Sequence, residues 1–313
     1  MSAGNTMPSS RIAIVGVGQV GAAAGYALIL GSVASELLLV DVKVDLRDGQ
    51  VRDLSDVAYS INSNTRIRGA THHEAGQCDI VVITAGSKSS IGETNIQHTH
   101  RNVSIIRSIV TAMTPFRTDT IVLIVSNPVD LLTSIAQELS RLPKFQVFGS
   151  GTFLDSVRLR GLVADKAKIA ASSVQLSVVG VQGDSQVVAW STATINGMPI
   201  DKFLAPDAFP YADLANECKH RSESIIRAKG ATPFGIGSIV SSICSSILVD
   251  RGDVRPISHF QPEFGCCFSM PVVLGRKGVA RTVEMPLVKD ELADIAKSAK
   301  RLRDTLERIR RDE

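Results

Sequence analysis

The chain has 313 residues, 44% of them hydrophobic, and a formal net charge of +3 at pH 7. This composition predicts a globular, soluble protein with a large buried core, built as two domains or as one large α/β unit. The longest apolar runs fall far short of the roughly 20 residues that a membrane-spanning helix requires. The small net charge, with basic and acidic residues interspersed, does not favour a nucleic-acid partner.

Residues 1–10 are small and polar, without the charged start or apolar stretch of a signal peptide, and we predict a disordered tail. The five cysteines are an odd set without metal-ligand spacing. Such cysteine usage predicts a reducing, cytoplasmic compartment and no metal site.

From residue 11 to about residue 150, short apolar runs alternate with helical patterns of crossover length. Such alternation is typical of parallel strands covered by helices on both faces. It predicts an α/β fold whose first domain, residues 11–150, is a doubly wound parallel Rossmann sheet. The apolar runs are residues 12–15, 37–40, 80–83 and 121–125.

After residue 150 the pattern changes, and residues 151–313 are predicted to form a second, α+β domain. Strand-like alternation occurs at 174–178, 187–190, 269–274 and 280–285, and a helical stretch interrupted at 230–233 covers 211–249. The stretch 289–311 is an amphipathic helix, which we expect to pack on the body of the protein rather than on a membrane. Its apolar positions are Leu292, Ile295, Ala299, Leu302, Leu306 and Ile309.

A glycine-rich turn, Gly16-Val17-Gly18-Gln19-Val20-Gly21, follows the first predicted strand and begins a helix. Its glycines permit a tight turn and a close approach of pyrophosphate to the helix N-terminus. Asp41 ends the next strand, where a carboxylate accepts hydrogen bonds from the ribose of NAD and repels the 2′-phosphate of NADP. The strand, turn, helix and acidic residue together predict NAD as the cofactor.

Further motifs follow in a fixed order. With the glycine-rich turn, they make the chain similar to the L-lactate/L-malate dehydrogenase family from about residue 11 to the end. They are Thr84-Ala85-Gly86, Ser126-Asn127-Pro128-Val129-Asp130, Gly149-Ser150-Gly151-Thr152, Leu154-Asp155-Ser156-Val157-Arg158 and Gly183-Asp184-Ser185.

The resemblance implies roles for several residues. Thr84, Ala85, Gly86 and Val125 would line the cofactor, and Asn127 would lie near both the nicotinamide and the substrate. Arg158 would bind the substrate carboxylate with paired donors in one plane, and Thr232 would line the substrate pocket. Asp155 matches the carboxylate that orients the family's catalytic histidine. The ligand implied is a small carboxylate or carbonyl compound.

Three positions depart from the family's pattern. Gln182 occupies the position of the catalytic histidine, and Asn95 that of an arginine on a mobile loop. Ser89 occupies the position that discriminates substrates, with neither the glutamine typical of lactate enzymes nor the arginine typical of malate enzymes. Lactate and malate are therefore not distinguished.

An amide cannot exchange a proton near neutral pH, and a positioned acid/base group contributes about 10²–10⁴-fold to a rate. One electrostatic donor contributes about 10²–10³-fold. Without a histidine, Asp155 has three possible states: bonded to the Gln182 amide, paired with Arg158, or protonated by burial.

Three functions are consistent with this combination. The first is a catalytically degenerate protein that still binds NAD and a small carboxylate. The second is an enzyme of altered carbonyl or carboxylate chemistry. The third is a working 2-hydroxy-acid dehydrogenase whose proton moves through water or through His98 on the helix after the loop. His72 has no motif context, and we expect a structural or surface role for it. The resemblance also implies a homodimer or homotetramer, assembled through a helix near residues 50–62.

Overall fold

The computed structural model of the chain describes residues 10–87, 94–205 and 207–311, and within these it leaves out the side chain of Asn95. Ser89 and nearly all of the predicted tail lie outside the described residues.

Six parallel strands form the N-terminal part of the sheet in the order β6-β5-β4-β1-β2-β3, which confirms the doubly wound Rossmann arrangement. Two of these strands were not predicted. β3 lies at the sheet edge and carries two arginines, and β6 has only three residues, so neither shows an apolar run. The strands are β1 (Arg11–Val15), β2 (Glu36–Val40), β3 (Arg66–Gly69), β4 (Ile80–Ile83), β5 (Ile121–Ile124) and β6 (Val147–Gly149).

Helices cover both faces of this sheet. Alternate residues of each strand enter different cores, as Ile12 and Ile14 do on one face and Ala13 and Val15 on the other. The apolar runs seen in the sequence result from this two-sided burial. The helices of this half are α1 (Gln19–Leu30), α2 (Val44–Ser60), α3 (His72–Ala75), α4 (Asn95–Met113) and α5 (Val129–Ser140).

The C-terminal half mixes helices with antiparallel strands, as predicted. Its helices are α6 (Phe153–Ala167), α7 (Ile200–Phe203), α8 (Tyr211–Lys229), α9 (Pro233–Leu248) and α10 (Lys289–Arg311). Its short strands are β7 (Val174–Gln175), β8 (Val178–Val179), β9 (Val187–Val188), β10 (Thr194–Ile195) and β11 (Met198–Pro199). Its long strands are β12 (Val254–Gln261), β13 (Cys266–Gly275) and β14 (Gly278–Thr282). Single 3₁₀ turns occupy residues 144–146, 171–173 and 190–192.

The long antiparallel strands extend the parallel sheet, because β12 pairs with β6 where Ser258 lies opposite Gly149. One nine-stranded sheet therefore runs through both halves of the chain. The domain division near residue 150 stays a prediction.

Two expectations for the C-terminal half need correction. The single strand expected at 174–178 is two short strands in different sheets, because β7 pairs with β10 whereas β8 pairs with β9. Between them the Leu176 carbonyl accepts a hydrogen bond from Arg160 Nε instead of a neighbouring strand. On α10 the predicted apolar face is buried except for Leu292, which is half exposed at the first turn. None of the helices within the described ranges is long and apolar enough to cross a membrane.

Asp79, directly before β4, links the N-terminal half of the chain to the C-terminal half. Its carboxylate accepts hydrogen bonds from the Arg11 N–H at 2.7 Å, from Arg117 Nη2 at 2.9 Å and from Arg276 Nη2 at 2.8 Å. Arg276 belongs to the turn between β13 and β14. These donors hold the pKa of Asp79 below its usual value, against the opposing effect of its burial.

We expect Asp79→Ala to lower the free energy of unfolding by about 1.5–3 kcal/mol at pH 7, since charge-assisted hydrogen bonds of this kind contribute in that range. Urea denaturation at pH 7 and pH 3 measures the effect. Because the folded-state pKa is lowered, the stabilisation is present at neutral pH and lost on acidification through that pKa. Asp119→Ala, which removes a largely exposed partner of the same Arg117, is the control and should change stability little. Equal losses in both variants would contradict this role for Asp79.

Candidate functional site

The glycine-rich turn lies against the loop after β4. Gly16 has φ +93°, and a Cβ added there would lie 2.4 Å from Ala85 Cα, so only glycine fits. A Cβ on Gly18 would have nothing within 4 Å and would enter open space at the start of α1. The N-cap of α1 is Gly18, and no side-chain cap bond is made there among the described residues, so the N-terminus of the helix can receive an anion.

A cavity of about 640 Å³ opens above this turn and has the size of a dinucleotide site. Asp41 is fixed at its wall, because its two carboxylate oxygens accept the backbone N–H groups of Val17 and Lys43, each at 2.9 Å. The predicted residues that line this cavity are Gly16, Gly18, Asp41, Thr84, Ala85 and Gly86. The other predicted cofactor contacts do not line this cavity: Gln19, Val20, Gly21, Val125 and Asn127. The turn, the open space at Gly18 and the fixed carboxylate fit NAD.

His72 also lines this cavity, at the start of α3. Burial lowers its pKa and the nearby Asp41 charge opposes that shift. No motif in the sequence includes His72. Its position just after β3, near Asp41 at the end of β2, could have identified His72 as a cavity residue. His72 was missed because β3 itself was not predicted.

A hydrogen-bond network holds the start of the loop that follows β4. Asn102 Oδ1 accepts from Ser87 N–H at 2.9 Å and from Ser87 Oγ at 3.0 Å, while its Nδ2 donates to the Asn127 carbonyl at 3.0 Å. His98 Nε2 lies 2.8 Å from the Ser87 carbonyl, to which it can only donate, and 3.3 Å from Asn102 Nδ2, from which it can only accept. Both contacts hold His98 to the start of the loop, and its predicted part in a proton relay stays a prediction. Asn102 was not predicted, because no motif includes it.

The described residues stop at Ser87 and resume at Thr94, on either side of the tip of this loop. α4 begins at Asn95, one residue after its N-cap Thr94. The side chain of Asn95 and all of Ser89 are outside the described residues, so their predicted roles stay predictions.

Asp155 and Arg158 lie one turn apart on α6, with Arg158 Nη1 3.5 Å from Asp155 Oδ1. Arg158 Nη1 also donates to Ser222 Oγ at 2.5 Å. Burial raises the pKa of Asp155, and the Arg158 charge and a hydrogen bond from the Gln182 side chain oppose that rise. Of the states open to Asp155, the structure shows the contact with Arg158, whereas burial favours protonation and the Gln182 side chain opposes it.

Gln182 lies on a short loop between two glycines with positive φ, Gly180 at +81° and Gly183 at +108°. Its backbone N–H donates to Asp130 Oδ2 at 2.6 Å. Asp130 is fully buried, and this burial raises its pKa to about 7. The sequence placed Asp130 in a motif but assigned it no role.

Two further residues were predicted to contact the substrate, Asn127 and Thr232. Asn127 is exposed just after β5. Thr232 lines a second cavity of about 400 Å³ with Arg158, Arg221 and Lys229. Asp155, Gln182 and Asn127 do not line this second cavity. Within the described ranges no group of three or more histidine, cysteine or acidic side chains is arranged to hold a metal ion.

Two family profiles match the chain. Residues 10–149 match the NAD binding domain of lactate/malate dehydrogenase, and residues 152–312 match the alpha/beta C-terminal domain of the same family. Together they cover nearly the whole sequence.

Named relatives agree with these matches. The chain is 42% identical to L-lactate dehydrogenase A of Rhizopus oryzae over 94% of its own length and 91% of the relative's. It is 38% identical to L-lactate dehydrogenase of Kosmotoga olearia over 96% of both chains. A solved lactate dehydrogenase from a Medee basin deep-sea metagenome library superposes with a TM-score of 0.91 at 30% identity, covering 96% of this chain and 99% of that one. The minor L-lactate dehydrogenase of Enterococcus mundtii, in its ligands-bound form, has the same TM-score at 32% identity, covering 96% and 98%.

We expect Gly18→Val to weaken NADH binding at least about tenfold with little change in stability, since its side chain would occupy the open space where phosphate approaches the helix. NADH fluorescence titration measures the affinity, and thermal denaturation measures the stability. Gly16→Ala is the matched variant: it should destabilise the fold, by about 1–3 kcal/mol of backbone strain plus the clash with Ala85. Unchanged NADH affinity in Gly18→Val would show that the dinucleotide does not lie across this turn.

Proposed function

Since this chain belongs to the lactate/malate dehydrogenase family and has NAD as its cofactor, we propose that it binds NAD(H) together with a small 2-oxo or 2-hydroxy carboxylate but turns it over slowly. Bound NADH supplies the hydride in this chemistry. The chain's own residues must hold the carboxylate and move one proton to or from the substrate oxygen. We propose that the first task is retained and the second largely lost.

The Gln182 amide is the single observation that carries this proposal. Its side chain is near enough to Asp155 to lower the pKa of that buried carboxyl group, as Arg158 also does. An amide can donate a hydrogen bond to a carbonyl oxygen but cannot release the proton that an alkoxide requires. The loss of a positioned acid/base group lowers a rate by about 10²–10⁴-fold.

Retained carboxylate binding is supported by Arg158. Its side chain is largely buried and is oriented by Asp155 and Ser222. Burial is the main cause of its lowered pKa. A guanidinium buried in this way gains from an anionic ligand, because the ligand supplies charge in place of water.

A working dehydrogenase is the second candidate, and the names of the relatives favour it. Burial raises the pKa of Asp155, which makes protonation of this carboxyl group easier than in water. In this alternative the Asp155 carboxyl group would supply, directly or through water, the proton that the substrate oxygen requires. Asp155→Asn would then abolish turnover.

The two candidates are separated by NADH oxidation over a panel of 2-oxo acids. We expect the natural protein to be slow with every acid, Gln182→His to be faster by about 10²-fold or more, and Gln182→His with Asn95→Arg to be faster still. Steady-state absorbance at 340 nm measures the rates.

Gln182→Asn is the matched control, since it keeps an amide and should stay slow. If the natural protein oxidises NADH with one acid as fast as the histidine variant does, and Asp155→Asn abolishes that activity, the slow-turnover proposal is wrong and the second candidate replaces it.

A homodimer or homotetramer is also part of the proposal. Its support is the exposed apolar surface at the end of α2, where Tyr59 is 76% exposed and Ile61 41%. Such side chains on a helix face are typical of subunit contacts.

A reducing, cytoplasmic location is a further part of the proposal. Its support is that the five cysteines are all unpaired and buried.

We expect sedimentation velocity to show an oligomer for the natural protein and a monomer for Tyr59→Glu, because a buried, unpaired charge would disrupt the apolar contact. Leu292→Glu, on the half-exposed start of α10, is the control and should leave the oligomer intact. A natural protein that sediments as a monomer at micromolar concentration would contradict the assembly.

A further inference from the structure

The second cavity, which Arg158 and Thr232 line, carries more positive charge than a single carboxylate needs. It lies between α6, α8 and the start of α9. Its cations are Arg158, Arg221 and Lys229, and Asp165 is the only acidic side chain among its described lining residues. Its volume of about 400 Å³ is within the range of ordinary ligand sites and leaves room beyond the smallest 2-oxo acids.

Arg221 and Lys229 lie on the same face of α8. With Ile225 between them they are spaced four residues apart, and all three line the cavity. On the opposite wall α6 leaves space, because a Cβ added to Gly161 would have nothing within 4 Å. A ligand that reaches Arg158 therefore also has open room beside α8.

Arg158 is joined to the helix that carries the second guanidinium group. Its Nη1 donates to Ser222 Oγ at 2.5 Å, and Arg221 directly precedes Ser222 on α8. Burial is the main cause of the lowered pKa of Arg158, and the charge of Arg221 lowers this pKa further. The two guanidinium groups are therefore close enough to repel each other, and a ligand with two negative charges would relieve that repulsion.

The charge of Arg221 is only weakly balanced within the described part of the chain. Its salt bridge to Glu217 is 3.6 Å long, and the two side chains are 42% and 55% exposed. Such an exposed pair contributes little. Lys229 Nζ lies 4.2 Å from the centre of the Phe234 ring, which carries no charge. The nearby Cys218 thiol is also neutral, because burial raises its pKa to about 12.

The start of α9 adds to the positive potential in the cavity. Residues 232–235 all line it, and α9 has 16 residues with Pro233 in its first turn. The N-cap Thr232 makes no side-chain cap bond, and the described first turn contains no acidic side chain. The positive end of the helix dipole therefore lies at the cavity without a negative side chain of its own.

We propose that Arg221 is a specificity-determining residue and that the preferred ligand is a 2-oxo or 2-hydroxy acid with a second carboxylate at its far end. The inference deepens the proposed function and rests on it: Arg158 binds the first carboxylate, and Arg221 binds the second with paired N–H donors. Ser89, at the position that discriminates substrates in the family, has no charge to offer a second carboxylate. In this chain α8 supplies that cation.

The test uses three unreactive analogues that share the same 2-oxo acid end. Oxamate is the smallest, N-oxalylglycine adds a second carboxylate, and N-ethyloxamate has a far end of similar length without charge. Isothermal titration of the full protein with NADH bound, at pH 7, measures each affinity. The natural protein should bind N-oxalylglycine at least about tenfold more tightly than N-ethyloxamate, since charge-assisted hydrogen bonds contribute that much. Added salt should reduce this preference by screening the exposed charge of Arg221.

Arg221→Gln should lose the preference for N-oxalylglycine and keep the natural affinity for oxamate. The unchanged oxamate affinity separates loss of this charge from damage to the fold or to Arg158. Arg221→Lys should retain part of the preference, because it keeps the charge but loses the paired donors. Arg227→Gln removes an exposed charge of α8 outside the cavity and is the matched control, which should behave as the natural protein does.

Two results would overturn the inference while leaving the proposed function in place. One is oxamate binding with equal affinities for N-oxalylglycine and N-ethyloxamate in the natural protein. The other is a preference for N-oxalylglycine that persists undiminished in Arg221→Gln. If none of the three analogues binds, the proposed function and the inference are contradicted together.

Discussion

The buried carboxylate of Asp155 is the constraint on which the site depends. A carboxyl group this deeply buried must have a cation, hydrogen-bond donors or a proton. In this chain Arg158 Nη1 lies 3.5 Å from the carboxylate, and the Gln182 side chain is near enough to lower the pKa of Asp155. An amide at position 182 cannot carry a proton to a substrate, and this is the basis on which we propose binding with slow turnover.

The cavity that fits NAD does not depend on the glutamine at position 182. Its carboxylate, Asp41, is held by backbone N–H groups at the end of β2, and its turn is fixed by the contact between Gly16 and Ala85. None of these contacts involves Gln182 or Asp155. Asn102 links the two sides through Ser87 and the Asn127 carbonyl, so the start of the loop and the end of β5 form one hydrogen-bonded unit.

The sequence predicted the fold well where burial is two-sided and the glycine pattern is specific. β1, β2, β4 and β5, the doubly wound parallel arrangement and α10 were all predicted correctly. β3 was missed because an edge strand can carry arginines, and β12 was missed because Pro256 and His259 obscure its apolar pattern. For the site, motifs brought Asp155, Arg158 and Gln182 to attention. Asp130, Asn102 and His72 act through tertiary contacts that only the folded chain creates.

The most direct test of the account separates binding from chemistry in the natural protein. Stopped-flow mixing of the preformed NADH complex with pyruvate would follow ligand binding by NADH fluorescence and hydride transfer by absorbance at 340 nm. The account predicts a fluorescence change within milliseconds, followed by absorbance loss at about 0.1 s⁻¹ or slower. This rate is expected when an enzyme of typical turnover loses its acid/base group and an electrostatic donor. Absorbance loss as fast as the binding phase would contradict it.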